Sequence, residues 1–271
     1  MAKRHLKYLI PMTFVACLSV ACSSSPTGRS QVILKSDQEL AVESARQFAE
    51  MKSNMALETD RTKIDYIHCV AQAVVLQLEP EFRDLDWEMA IFQSDAVNAF
   101  AMPGGKIGVM TGILKAAENQ DQLAAVIGHE IAHVTARHAN ERASRGSFSN
   151  VGVQVAAVLL GGGHQGATYS AYEALQAGAA LGIMLPFSRS QESEADVIGL
   201  DYMAKAGFDP RESVPLWQNM DGEAGEAPAE ILSTHPSSET RIDQLVGQFG
   251  TTLKLYNEAK EAGRIPNCTM E

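Results

Sequence analysis

The segment Gly128-His129-Glu130-Ile131-Ala132-His133 constrains this chain more than any other, because it sets a histidine pair and a glutamate into an amphipathic helical run. Leu123, Val126, Ile127, Ile131 and Val134 recur at helical spacing between Asn119 and about Arg142, which predicts one helix with a buried face. Residues four apart lie on nearly the same face one turn up, so both imidazoles reach one ion. Glu130 points elsewhere, but its carboxylate can reach a water held by that ion. His129 and His133 are therefore expected as metal ligands and Glu130 as general base. His138, five residues past His133, is off the ligand face and is expected as an outer partner or a surface residue.

A catalytic zinc site takes three protein ligands and leaves a position open for water. The third ligand is expected from Ser188-Arg189-Ser190-Gln191-Glu192-Ser193-Glu194-Ala195-Asp196, at the start of a helix running to Ala206 before Gly207. Glu192 and Asp196 share a face of that helix while Glu194 points away. Glu192 can complete a two-histidine, one-carboxylate site for a single Zn2+. Asp196 can accept a hydrogen bond from the outer nitrogen of a ligand histidine, which fixes its tautomer. Read alone, the segment is also a solvated acidic helix start favoured by the helix dipole.

The rest of the chain bounds what surrounds such a site. It has 271 residues, 45% hydrophobic and 20% charged, a globular balance. Lys3, Arg4 and Lys7 followed by an apolar run from Tyr8 to Ala21 read as a signal peptide over residues 1–21. That apolar run is short for a membrane span, which needs about 20 residues. Ser19-Val20-Ala21-Cys22 resembles a bacterial lipobox, with Cys22 as lipidation site, residues 22–35 as a polar tether and residues 36–271 as one catalytic domain. Ser19 stands where the lipobox has leucine, so ordinary signal cleavage remains the alternative. Either way the domain is expected to be exported, to the periplasm of a Gram-negative bacterium, anchored to the outer membrane if lipidated.

Removal of residues 1–21 takes away three basic and no acidic residues, moving the net charge from −11 to −14. Nucleic acid is therefore not expected as a partner. With Cys17 in the signal and Cys22 under lipid, Cys69 and Cys268 remain, either as one disulfide or as two thiols.

The expected fold class is α+β, mainly α-helical, a zincin-type domain with a small antiparallel sheet. Ser36-Asp37-Gln38-Glu39 reads as a capping box opening a helix to about Met55. Asp60 opens another, in which Ile64, Ile67, Ala71, Val74, Val75 and Leu78 form a buried stripe. His68 in it is expected to be structural. Alternation at Trp87, Met89 and Ile91, then Ile107 to Met110 after the Pro103-Gly104-Gly105 turn, predicts two or three antiparallel strands. Residues 152–186 are small, apolar and glycine-rich, and read as a lid, a membrane-facing hairpin or plain core; an exposed apolar surface there would suit unfolded envelope proteins.

His129-Glu130-x-x-His133 with Glu192-x-x-Ala195-Asp196, preceded by Asn98-Ala99-Phe100 and Gly104-Gly105, resembles the gluzincin family of HtpX and the CAAX prenyl proteases. Its soluble periplasmic branch, of the BepA and LoiP type, is the nearest pattern, and the resemblance covers about Ser36 to Gln248. It implies Glu192 as zinc ligand with Asp196 behind it. It implies an edge strand at Asn98, Ala99 and Phe100 that pairs with an extended substrate. It also implies that His235, in Ser233-Thr234-His235-Pro236, is a fourth metal contact that plugs the open position. The residues alone read His235-Pro236 as a loop before a helix capped near Ser237. Arg241 is expected either to orient a substrate carbonyl or to pair with an acid. Unfolded or misassembled envelope proteins as substrates, and outer-membrane assembly machinery as a partner, are implied with it.

Two rival functions stand beside this endopeptidase reading. One is a non-proteolytic periplasmic chaperone or scaffold lipoprotein with a structural zinc. Glu130 argues against it, since closed structural sites use four cysteine or histidine ligands and need no adjacent base. The other is a metal-dependent hydrolase acting on something other than peptides.

Overall fold

The computed structural model describes residues 22–145, 187–223, 231–232, 235 and 240–270. The signal segment and the 152–186 stretch lie outside them, as does any reading of Pro236 to Glu239. Contacts divide the chain into two units, Met1–Ser36 with Asn140–Met184, and Asp37–Ala139 with Leu185–Glu271.

In the smaller unit, the stretch expected as a tether carries a hairpin, β1 (Cys22–Ser24) paired antiparallel with β2 (Ser30–Val32). The buried Glu141 carboxylate accepts two hydrogen bonds from the Arg29 guanidinium, at 2.9 and 2.8 Å. Leu34 N–H donates to Ser144 Oγ, which holds the hairpin's exit to the 140–145 helical turn.

The larger unit is built mainly of helices around one small sheet, so the α+β class stands. Helix α1 (Asp37–Asn54) is followed by α2 (Arg61–Val75), whose N-cap Asp60 accepts from Thr62 N–H as its sequence position requires. Ile67, Val70, Ala71, Val74 and Leu78 of that region are buried in the main core. His68 is exposed and takes no part in any site. A short helix α3 (Pro80–Arg83) leads into β3 (Glu88–Phe92), β4 (Ala99–Met102) and β5 (Lys106–Met110).

Sheet order is β3-β5-β4, with β4 antiparallel and β3 parallel to β5. The expectation of antiparallel strands is therefore right for the β4–β5 hairpin and corrected for β3. Gly104 and Gly105, both at φ +81°, make the tight turn of that hairpin. Residues 93–98 carry the chain across to the far side of β5, and alternation along a strand says which face is buried but nothing about which neighbour it meets. Phe48 of α1 packs with Phe92 and Phe100 in a small separate cluster.

Helix α4 (Gln120–Thr135) starts where Asn119 Oδ1 accepts from Asp121 and Gln122 N–H. It ends at Ala136 rather than near Arg142. Arg137 is left-handed, at φ 54°, and helix resumes only at 138. Helix α5 (Arg189–Ala206) is capped by Ser188 with a reciprocal Gln191 contact and closed by Gly207 at φ +93°. Helix α6 (Ser213–Glu223) packs against α4, and helix α7 (Arg241–Glu261) packs against α5 and α6.

The α4–α5 crossing is unusually close because glycines face each other there. A Cβ on Gly128 would lie 2.8 Å from Gly199 O, and one on Gly199 would lie 2.8 Å from His129 N. Those neighbours are backbone and cannot swing aside. Tyr202 Oη donates to Thr135 Oγ1 at 3.0 Å farther along the same pair. Cys268 is disulfide-bonded to Cys69 of α2, with Cα atoms 5.7 Å apart, which pins the C-terminal tail, and Arg264 Nε of that tail donates to Lys205 O near the end of α5.

Gly199→Ala is expected to force α4 and α5 apart, costing about 1–3 kcal/mol in urea unfolding and weakening metal binding together. The double change Cys69→Ser, Cys268→Ser is expected to lower stability by about 2–5 kcal/mol, while leaving metal stoichiometry unchanged. An unshifted urea midpoint in either variant would contradict the packing described here.

Candidate metallopeptidase active site

Helix α4 supplies His129, Glu130 and His133, and α5 supplies Glu192 and Asp196, all buried. His133 Nε2 lies 3.1 Å from His129 Nε2, as the four-residue spacing demands. Glu192 Oε2 lies 3.3 Å from His129 Nε2 and its Oε1 3.5 Å from His133 Nε2. His235 joins them, its Nδ1 3.2 Å from His129 Nε2 and 3.1 Å from Glu192 Oε1. One ligand atom from each of His129, His133, Glu192 and His235 falls within 4.8 Å of all the others. The structure thus brings together every residue that the sequence singled out as a ligand, from three separate stretches of chain.

Behind the ligands sits an outer layer. His129 Nδ1 lies 2.9 Å from Asp196 Oδ1, which also accepts from Arg241 Nη2 at 2.6 Å. Arg241 is buried and its guanidinium lies 3.3 Å over the Trp217 ring. Its charge therefore goes to Asp196, and the alternative of pairing with an acid is the one seen, not contact with a substrate carbonyl. On the other ligand, His133 Nδ1 lies 2.9 Å from His138 Nδ1, and His138 Nε2 lies 3.0 Å from Glu194 Oε2. Phe187 stacks on the His133 ring at 4.1 Å.

β4 passes beside α4. Phe100 pairs with Gly108 and turns its ring into the Phe48–Phe92 cluster, so that side chain is occupied with packing. Met110 N–H donates to Asn98 O, which makes 98, 100 and 102 the residues bonded to β5 and turns the backbone of Ala99 and Ala101 the other way, where Ala101 donates a backbone hydrogen bond to the Glu130 carboxylate. Asn98 Oδ1 is buried with no partner among the described residues.

Electrostatics follow from this burial. Burial works against a charged ring at His129, yet the Asp196 and Glu192 carboxylates carry its pKa up to about 9. Burial likewise raises Glu192, but hydrogen bonds with His129 and His235 hold it at about 2. His133 is pushed well below its ordinary value, first by burial and then by its cationic neighbours. Burial lifts the Glu130 carboxyl above the usual range, which suits a group that must take up a proton.

The donor set fits zinc. Imidazole nitrogens and a carboxylate are its ordinary ligands, and converging Nε2 lone pairs are costly without a cation between them. Glu130 Oε1 is buried without a hydrogen-bond partner among the described residues, with His235 Nε2 3.6 Å away.

Sequence reasoning passed over three residues of this site and placed a fourth, His138, only as one of two alternatives, of which the outer partner is the one seen. Glu194 was read as pointing away. Neither Ala136 nor Arg137 signals the helix break that places His138. Trp217 and Phe187 carry no motif, and only the packing of distant segments brings them in.

Together these features define a mononuclear metallohydrolase of the HExxH, glutamate-ligand class. The model for peptidase family M48 matches residues 62–248, and the chain belongs to that family. Among curated relatives, it is 41% identical over 60% of its length to mitochondrial metalloendopeptidase OMA1 of Schizosaccharomyces pombe, covering 46% of that protein. It is 36% identical over 66% of its length to the protein of that name in Arabidopsis thaliana, covering 35% of it. It is 33% identical over 56% of its length to the Beta-barrel assembly-enhancing protease of Escherichia coli K12, covering 32% of it. The chain thus spans less than half the length of each of these relatives.

Because His129 holds its second proton up to about pH 9, zinc binding at Nε2 must displace that proton. Zinc affinity is therefore expected to rise with pH, by up to about tenfold per unit, and to level off near pH 9. Chelator competition across that range checks it; a flat profile would contradict the protonated imidazole.

Proposed function

We propose that this protein is a zinc-dependent endopeptidase held latent by its own His235. The observation that carries the proposal is Glu130, a buried carboxylate with an unpartnered oxygen beside a four-residue metal cluster. A structural zinc site has no use for such a group.

His129, His133 and Glu192 would hold the metal. Zinc, when bound, supplies Lewis acidity, acidifying a water molecule and polarising the scissile carbonyl. Glu130 takes the water proton as the oxygen attacks the carbonyl carbon, and then delivers it to the leaving nitrogen as the C–N bond breaks. Asp196, fixed by Arg241, keeps the proton of His129 on Nδ1 and so leaves Nε2 as donor. An extended peptide adds to that outer edge of β4 at the backbone of Ala99, beside the Ala101 contact with Glu130. His235 occupies the side of the cluster that water and peptide need, so it has to withdraw before turnover.

We further propose that the enzyme is exported, with Cys22 as its lipid anchor, and that it removes misfolded or misassembled envelope proteins. A short basic start before an apolar run and small residues supports export over an Arg-rich organellar presequence. The name of the Escherichia coli relative points the same way. Among the described residues no helix is long and apolar enough to cross a membrane. The more similar OMA1 relatives favour a second reading, an organellar protease on the same catalytic domain. Labelling with palmitate, lost in Cys22→Ala, separates the two.

Unfolded casein tests the chemistry. Glu130→Gln is expected to keep zinc and lose cleavage by about 100-fold or more, while His235→Ala cleaves faster than wild type. Zinc-loaded His235→Ala without any cleavage would turn the assignment toward a non-proteolytic role.

A further inference from the structure

We propose that His138 and Glu194 are positioning residues that fix the ligand His133 through a second, imidazole-mediated outer chain, and that the left-handed turn at Arg137 exists to deliver His138 to it. The proposal rests on the metal-site reading above. It concerns residues to which the mechanism gives no task.

Its geometry is directional. His133 turns Nε2 to the ligand cluster, 3.1 Å from His129 Nε2, and Nδ1 to His138. A ligand nitrogen needs its lone pair, so the proton of His133 sits on Nδ1. That N–H donates to His138 Nδ1, which must then be an acceptor. A neutral imidazole accepting at one nitrogen carries its proton on the other. His138 Nε2–H therefore donates to Glu194 Oε2 at 3.0 Å. The carboxylate sets the tautomer of His138, and His138 in turn sets the tautomer and ring orientation of His133. His129 receives the same service from Asp196 in one step.

Backbone conformation supports a built arrangement. In an uninterrupted helix, residues five apart point about 140° away from each other, so His138 could not meet His133. Helix α4 stops at Ala136, Arg137 takes φ 54°, and the restarted turn brings the His138 ring to 4.9 Å from that of His133. A non-glycine residue in that region costs of order 1 kcal/mol, and nothing in the local sequence demands it. His138 and Glu194 are both fully enclosed, with side-chain exposures of 0% and 3%. Burying a carboxylate and a polar ring this deeply is expensive unless they are used.

Substitutions at 138 separate positioning from packing. Asn can place its carboxamide oxygen where His138 Nδ1 lies, whereas Gln places its polar end near Nε2 and leaves His133 Nδ1 without an acceptor. In the full chain, zinc affinity by chelator competition is expected to fall about 10–100-fold in His138→Gln and His138→Ala. His138→Asn is expected to recover most of that loss, with Glu194→Gln falling between it and wild type. The His133 tautomer, read by 15N NMR of the zinc-loaded protein, should stay a single Nδ1–H form in wild type and mix or broaden in His138→Gln.

Equal zinc affinity in wild type, His138→Gln and Glu194→Gln would overturn the chain while leaving the metal site intact. Losses that follow side-chain volume, with Asn no better than Ala, would also overturn it, since packing alone gives that order. Should His138→Ala fail to fold, the Asn and Gln pair and Glu194→Gln still decide. Wild type that binds no zinc removes the metal reading and this proposal together. Wild type that binds zinc and shows the expected order, yet cleaves no peptide, upholds the positioning chain and overturns only the peptidase reading.

Discussion

Everything in this site depends on two backbones touching. Gly128 and Gly199 let α4 and α5 approach until a hypothetical Cβ on either would strike the other's main chain. At ordinary helix separations of about 8–10 Å, the short side chains of Glu192 and Asp196 would have farther to reach toward the imidazoles of His129 and His133. Contact at the glycines turns two adjacent helix faces into one coordination surface. It also explains why the site is so dry: ligands, base and outer partners all lie at the helix–helix seam, where neighbouring apolar residues such as Ile127, Ile131 and Ala195 exclude water.

Such dryness is costly. His129, Glu130, His133, His138, Glu192, Glu194, Asp196, His235 and Arg241 are all buried in this one region. Each would be destabilising alone, and the structure answers by giving nearly all of them a partner within hydrogen-bond reach. Asp196 is braced by Arg241, which spreads its own charge over the Trp217 face. Among the described residues, Arg241 keeps Nε and Nη1 without hydrogen bonds, and Glu130 keeps Oε1 without one, its proton affinity raised by burial. A buried base with an oxygen free of hydrogen bonds is poised for proton transfer there.

The same economy suits the latency proposed above. His235 comes from a stretch outside the two metal-binding helices, yet its ring nitrogen comes within 3.2 Å of His129 Nε2 and 3.1 Å of Glu192 Oε1. Being supplied by a separate segment, it would, on that proposal, leave without disturbing α4 or α5. The permanent ligands cannot: they ride on helices locked by the glycine contact, by Tyr202 on Thr135 and, at the far end of α5, by a C-terminal tail tied down through Cys268. Rigid ligands with a fourth contact from a separate segment are the arrangement that the proposed control of the site requires.

Local sequence determined the pieces whose physics is local. The four-residue spacing of His129 and His133, the Asn119 and Ser188 caps, the Gly207 stop and the Gly104-Gly105 turn all follow from backbone geometry within a few residues, and each lies where the sequence places it. Glu192 was legible because a catalytic zinc needs a third ligand and the Glu192–Asp196 spacing offers one with its outer partner. Tertiary structure alone decided the rest. Parallel pairing of β3 with β5 depends on how residues 93–98 cross the sheet, the assignment of Arg241 to Asp196 depends on where α7 docks, and the union of His138 with Glu194 depends on a left-handed residue that no glycine or proline announces. Spacing along a helix is set by bonds between near neighbours, whereas these contacts join residues far apart in the chain, and their distances are set only when the whole unit packs.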